Sequence, residues 1–250
     1  LPEKYENEMK DLLQEEYEAY KESLSLPIQQ GYRINTGKIS KEEWEKIAPF
    51  SAKEVPWIEN GYFLLDDFRA SRHPYYFAGL YYLQEQSAMT PENRLNVEQG
   101  DFVLDLCAAP GGKATELGSR LKGKGMLVAN DISNSRAKAL LKNLELAGIA
   151  NLYVTSEEPA KLCQNFPEFF DKVLIDAPCS GEGMFHREPK MIEYWEKRGP
   201  EEYVPIQKQL ILYGSRMLKP GGKLLYSTCT FSVEENEDRV ADFLDNFPDF

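Results

Sequence analysis

From residue 100 onward, short apolar runs alternate with helix-length amphipathic segments, and this alternation constrains the fold more than any other feature. The order is DFVLDLC then KATELGSRL, GMLVANDI then SRAKALLKNLELAG, NLYVTS, DKVLIDAP, VPIQKQLILYGSRML and finally GGKLLYSTCT. Uninterrupted apolar runs suit strands buried on both faces, and the helices between them supply parallel crossovers. The pattern predicts a doubly wound, mostly parallel α/β sheet of five strands, closed by an acidic helix over 233–247.

The first hundred residues follow a different grammar. Tyr5, Met9, Leu12, Leu13, Tyr17, Tyr20 and Leu24 recur at helical spacing, which predicts an amphipathic helix over 3–24. Ser40 and Glu43 form a capping-box pattern that opens a second helix through Ile47. Pro49 and Pro56 break the chain beyond it, and a further helix is expected from Tyr75. The expected organisation is therefore a smaller, mainly helical N-terminal domain over 1–74 and a larger α/β domain over 75–250.

In a doubly wound sheet, ligands bind beyond the carboxyl ends of the strands, where the strand order reverses. The first of these strands runs into Cys107-Ala108-Ala109-Pro110-Gly111-Gly112-Lys113, whose small residues let backbone N–H groups approach a ligand. The same glycines would also serve a plain tight turn. Asp131 follows the second strand and is placed either to accept ribose hydroxyls or to open the next helix. The fourth strand leads through Asp176 to Cys179, and the fifth ends in Ser-Thr-Cys229-Thr. Two thiols and a carboxylate at neighbouring strand ends exceed what core filling needs, although cysteine is a common core residue.

The four cysteines lie far apart, with no C-x-x-C pair, so neither zinc nor a disulfide scaffold is expected. No apolar run approaches the ~20 residues needed to cross a bilayer. LPEKYENEMK is not a signal peptide. Reduced thiols and the lack of a leader predict a cytoplasmic protein. His73 and Cys163 read as structural.

The segments LCAAPGGK (106–113), NDIS (130–133), DAPCSGEGMF (176–185) and LLYSTCTFSVEENE (224–237) resemble the Nop2/Sun family of RNA (cytosine-5) methyltransferases, as does YYLQEQSAM (81–89). The resemblance runs over about residues 75–240 and implies a Rossmann-like methyltransferase fold that uses S-adenosylmethionine on RNA, with ribosomal RNA the main substrate of bacterial members. It makes Cys229 the nucleophile, Cys179 the group assisting product release and Asp176 the partner of the cytosine edge. The DNA cytosine-5 enzymes use the Cys of a Pro-Cys pair instead, which would swap the two thiols; their Q-x-R-x-R segment is missing here. The resemblance further implies that the backbone from Cys107 to Lys113, Asp131 and Arg136 hold the cofactor. The third strand departs from the family pattern, ending in Thr155-Ser156-Glu157, so that either Ser156 or Glu157 would meet adenine. Arg187 and Lys190, on an expected loop after Cys179, fit phosphate contacts or a solvated surface. The aromatic run over 75–82 fits base stacking or, better, core packing. A seven-stranded sheet would need two more strands, so a truncated C-terminus is expected, without the RNA-binding domain that some bacterial members carry.

Rival readings are few. An NAD-type oxidoreductase would carry G-x-G-x-x-G, and an amino-group methyltransferase N/D-P-P-[YF] in place of Asp-Ala-Pro-Cys-Ser. A non-catalytic ribosome-assembly factor or a tRNA enzyme would keep the same fold. The formal charge of −12 opposes a nucleic-acid partner at first sight. Residues 1–30 hold three basic and eight acidic side chains, and residues 231–250 one and seven, leaving 25 against 26 elsewhere. The segment with the motifs is thus almost neutral, and weak electrostatic RNA binding is expected.

Overall fold

Strands covered on both faces need apolar residues through their centres, and this chain meets that demand. Val103, Leu104, Leu127, Val128, Ala129, Val173, Leu174 and Ile175 are all buried, none more than 2% exposed. The computed structural model describes residues 1–66 and 68–250. Its first half contains α1 (Glu3–Leu13), α2 (Tyr17–Ser23), β1 (Gly31–Ile34), α3 (Lys41–Ile47), β2 (Ala52–Glu54), β3 (Gly61–Leu64), α4 (Pro74–Phe77), β4 (Tyr81–Leu83) and α5 (Thr90–Arg94). The second contains β5 (Phe102–Asp105), α6 (Gly112–Leu121), β6 (Met126–Asn130), α7 (Asn134–Ala147), β7 (Leu152–Thr155), α8 (Pro159–Asn165), β8 (Phe170–Asp176), α9 (Lys190–Arg198), α10 (Val204–Met217), β9 (Leu218–Ser227) and α11 (Glu237–Asn246).

The chain forms two compact units, one of which comprises Gln29–Ala177 and Gln209–Ser227. It holds the five expected strands in the order β7-β6-β5-β8-β9, all neighbours parallel. The order reverses between β5 and β8, which places the crevice for a ligand beyond the ends of those strands. Leu117, Leu121, Leu140 and Leu144 of α6 and α7 cover Val103, Leu127 and Ala129 of the sheet.

The same unit contains a second sheet that the sequence pattern did not predict. It is antiparallel in the order β2-β3-β1-β4. Its strands are three or four residues long, too short for a period of two to register. Aromatic packing holds it together: Tyr32 stacks on Tyr62 at 5.1 Å and meets Trp44 edge-on at 5.8 Å. The helix expected from Tyr75 is a single turn, α4, because Gly79 at φ +67° stops it and β4 follows. Tyr75, Tyr76 and Tyr81 pack into the core of this small sheet. The capping box at Ser40 and Glu43 is present, with Ser40 Oγ accepting from the Glu43 N–H at 3.2 Å.

The other unit comprises Leu1–Ile28, Pro178–Lys208 and Thr228–Phe250. Its core is Tyr5, Met9, Tyr17, Phe185 and Trp195, with Tyr5 edge-on to Phe185 at 5.0 Å and to Trp195 at 5.7 Å. The helix expected over 3–24 breaks into α1 and α2 at Gln14, whose φ is +48°. Both acidic terminal segments lie in this unit, and the boundary expected at 74/75 falls inside the first.

Candidate active site

The turn after β5 is held from α7. Arg136 Nη2 donates to the Ala109 carbonyl at 2.8 Å and Asn143 Nδ2 to the Pro110 carbonyl at 2.7 Å. Gly111 caps α6 at φ +112°, a left-handed conformation that a side chain would strain. The α6 N-terminus beyond it presents N–H donors, as a carboxylate or phosphate ligand requires. Burial pushes the Cys107 thiol well up, with the Asp105, Asp176 and Asp131 carboxylates adding to it, so this cysteine stays protonated.

Asp131 is 3% exposed beyond β6. One oxygen accepts from the Ser133 N–H at 2.9 Å, and the other lies 3.3 Å from Arg136 Nη2. It therefore both shapes the entry to α7 and presents an oriented carboxylate. Asn130 beside it ties three strand ends together: its Nδ2 donates to the Leu106 and Glu157 carbonyls at 3.2 and 3.1 Å, and its Oδ1 accepts from Thr155 Oγ1 at 2.8 Å. Of the two residues expected to meet adenine, Glu157 pairs with Lys161 at 2.7 Å, while the Ser156 hydroxyl lies 3.4 Å from the Ile132 carbonyl.

At the end of β8, both Asp176 oxygens are engaged. Lys113 Nζ stands 2.7 Å from Oδ2, and Ser227 Oγ at the end of β9 donates to Oδ1 at 3.0 Å. Burial opposes the Lys113 charge, but the adjacent Asp176 carboxylate outweighs it and holds the ammonium above its usual range. Asp105 at the end of β5 is wholly buried, and neither carboxylate oxygen has a hydrogen-bond partner among the described residues. Burial first, and the Asp176 carboxylate second, push it up to about 8.

The two thiols lie in the other unit, where Cys179 Sγ and Cys229 Sγ are 3.3 Å apart. That is contact distance without a bond, since a disulfide measures ~2.05 Å. Cys229 is exposed and Cys179 buried. The Cys229 N–H also donates to Cys179 Sγ at 3.4 Å. The hydrogen bond to Cys229, and then burial, push the Cys179 thiol far up, which keeps it protonated. The segment after Cys179 is more ordered than a loop: a helical turn covers Glu182–Met184, and Lys190 opens α9. Arg187 and Lys190 are exposed.

A family model described as 16S rRNA methyltransferase RsmB/F matches residues 92–250, and the N-terminal domain of 16S rRNA methyltransferase RsmF matches residues 1–86. The chain belongs to the RsmB/F family. Among its relatives, ribosomal RNA small subunit methyltransferase F of Shewanella piezotolerans is 39% identical over 235 residues, covering 90% of this chain and 49% of that one. The protein of that name from Pectobacterium carotovorum is 36% identical over 232 residues, covering 89% and 48%. The chain thus spans about half the length of the curated relatives it matches. A solved methyltransferase homologue from Pyrococcus horikoshii superposes with a TM-score of 0.81 at 34% identity, covering 93% of this chain and 75% of that one.

Within the first unit, the strand order brings the turn after β5, Asp131, Arg136 and Asp176 to one sheet edge; within the second, Cys179 meets Cys229. Sequence reading missed that the Lys113 side chain reaches Asp176, 63 positions away. It also missed Asn130, Asp105 and the buried Glu182 and Glu235. The only signal for the last two was their place inside the family motifs. His73 accepts from the Tyr75 N–H at 3.2 Å as the cap of α4, a structural role. Among the described residues, no group of three or more His, Cys, Asp or Glu could hold a metal, and no helix is long and apolar enough to cross a membrane.

Proposed function

We propose that this chain methylates C5 of a cytosine in small-subunit ribosomal RNA, using S-adenosylmethionine. The observation that carries the reading is the thiol pair, one exposed and one buried, with sulfurs 3.3 Å apart. The residues of the first unit fit the cofactor. The backbone of Cys107, Ala108, Ala109, Pro110, Gly111, Gly112 and Lys113 would hold its methionine end, Asp131 its ribose hydroxyls and Ser156 its adenine, with Arg136 fixing both the turn and Asp131. When bound, S-adenosylmethionine supplies the electrophilic methyl group that C5 takes up.

Cytosine C5 is a weak nucleophile, and the chain's own residues change that. Cys229, as the exposed thiolate, adds to C6 and leaves C5 electron-rich. As the electron pair displaced from C6 reaches N3, that nitrogen takes up a proton, and Asp176, aimed by Lys113 and Ser227, accepts from the N3–N4 edge and stabilises the protonated adduct. Solvent water takes the C5 proton, the electron pair it leaves re-forms the C5–C6 double bond, and the Cys229–C6 bond breaks with its pair going to the Cys229 sulfur. The protonated Cys179 thiol then hydrogen-bonds to the departing sulfur and favours its release. The Cys179 thiol, pushed up and buried, suits that supporting role better than the nucleophile's, which argues against the swapped assignment. Arg187 and Lys190 would meet RNA phosphates. A ribosomal substrate would fit a cytoplasmic setting.

The test is incubation of the protein with S-adenosylmethionine carrying a tritiated methyl group and with small-subunit ribosomal RNA, followed by nucleoside mass spectrometry. Label in 5-methylcytidine is the expected result. Cofactor binding by calorimetry without any methyl transfer would favour the assembly-factor reading; label confined to transfer RNA would reassign the substrate.

A further inference from the structure

Two glutamates close in sequence to the thiols are buried: Glu182 is 3% exposed and Glu235 0%. Each reaches from its own segment to the other. Glu182 follows Cys179 by three residues, and its Oε2 accepts from the Phe231 N–H at 3.0 Å while its Oε1 accepts from Trp195 Nε1 at 2.9 Å. Glu235 follows Cys229 by six residues, and its Oε2 accepts from the Ser180 N–H at 3.0 Å and from Gln207 Nε2 at 2.7 Å. Its Oε1 accepts from the Ser180 hydroxyl. Ser180 adjoins Cys179, and Gln207 also donates to the Pro178 carbonyl at 2.9 Å. Thr230 adjoins Cys229 and lies 2.7 Å from Ser180 Oγ. The Gly183 N–H donates to the Cys229 carbonyl at 2.9 Å.

We propose that Glu235 is a positioning residue that sets the spacing of the two thiols by locking the segment that bears Cys179 onto the segment that bears Cys229. A buried carboxylate is costly unless donors surround it. The donors around Glu235 include the backbone and side chain of Ser180, so the carboxylate is satisfied when the two segments are docked. Cys179 is then held by the residue on its C-terminal side, and Cys229 by the hydroxyl of Thr230 against the same Ser180. Glu182 closes the reverse bond, so neither segment can slide while both contacts stand. Glu235 acts through the residues next to the two thiols, Ser180 and Thr230.

The inference rests on Cys179 and Cys229 being the working pair, and its test has a readout that needs no activity. The protein and its Glu235→Gln, Glu235→Asp and Glu235→Ala variants are treated with diamide, which takes two protons and two electrons from adjacent thiols and leaves a disulfide. Peptide mass spectrometry then follows formation of the Cys179–Cys229 bond. Glu235→Gln should match the wild type, because its carbonyl can take the Ser180 and Gln207 donors and its amide can turn to the Ser180 hydroxyl. Glu235→Asp, one methylene too short, and Glu235→Ala should cross-link at least about tenfold more slowly. Methyl transfer should fall about 100-fold in kcat with the KM for S-adenosylmethionine unchanged. Glu235→Asp keeps the charge and carries the test if Glu235→Ala does not fold. A folded Asp or Ala variant that cross-links as fast as the wild type overturns the proposal, and so does a Gln variant as slow as Ala. Fast cross-linking in a wild-type protein that methylates no RNA would leave the clamp standing and overturn the functional reading instead.

Discussion

Lys113 Nζ stands 2.7 Å from Asp176 Oδ2, joining the first turn of α6 to the end of β8. The glycine-rich turn and the Asp-Ala-Pro-Cys segment are therefore linked directly: the lysine that closes one motif orients the carboxylate that opens the other. Lys113→Met should lower single-turnover methyl transfer by about 100-fold, the scale for losing one preorganised charged contact. Asp176→Asn should lose at least as much. The double variant should lose little beyond Asp176→Asn, since the two side chains act as one unit. Additive losses would mean that Lys113 works elsewhere.

The thiols should separate by function. Cys229→Ala should abolish both methyl transfer and the covalent complex with 5-fluorocytosine RNA, read as a shifted band on a denaturing gel. Cys179→Ala should still attack but should release poorly, so that a protein–RNA adduct accumulates on ordinary RNA. An active Cys229→Ala protein would reverse the assignment.

Asp105 predicts a pH dependence of stability. Its carboxyl titrates near 8 in the folded protein and near the ordinary ~3.9 in the unfolded chain. Between those values the folded state binds more protons, so this group makes stability fall as pH rises, by at most about 1.4 kcal/mol per unit. Asp105→Asn removes that contribution. Urea unfolding at pH 5, 6, 7 and 8 should show the variant gaining on the wild type at each step. A constant difference across the series would mean that Asp105 does not titrate in this window.

The five parallel strands were legible because each carries a short apolar run bounded by polar or turn residues, as strands with buried centres require. The small sheet was not. Its strand β1 reads Gly-Tyr-Arg-Ile, and Arg33 in the middle is buried only because α6 and α5 supply Glu116 and Glu92 from 59 or more positions away. Motifs at strand ends announced which residues gather at the site, whereas side-chain partnerships depend on strand order. Lys113 meets Asp176 because β5 lies next to β8, which no local pattern states. Glu235 in Ser-Val-Glu-Glu-Asn-Glu looked like surface acid, since burial of one glutamate among four polar neighbours leaves no trace in composition.

Arg33 offers the sharpest test of that hidden layer. Its guanidinium reaches Glu116 Oε2 at 3.0 Å, Gln84 Oε1 at 2.8 Å, Thr115 Oγ1 at 2.6 Å and the Gly112 carbonyl, with Glu92 at 3.6 Å. Arg33→Met should destabilise the protein by about 3–5 kcal/mol, because two buried carboxylates lose their shared cation. Adding Glu92→Gln should recover part of that loss in urea unfolding, as Glu92 Oε2 has no hydrogen-bond partner among the described residues even with Arg33 present. Arg33 also holds Gly112, so the single variant should bind S-adenosylmethionine more weakly by calorimetry at a temperature where it remains folded. Wild-type affinity in a destabilised Arg33→Met protein would confine Arg33 to stability and free the cofactor turn from the small sheet.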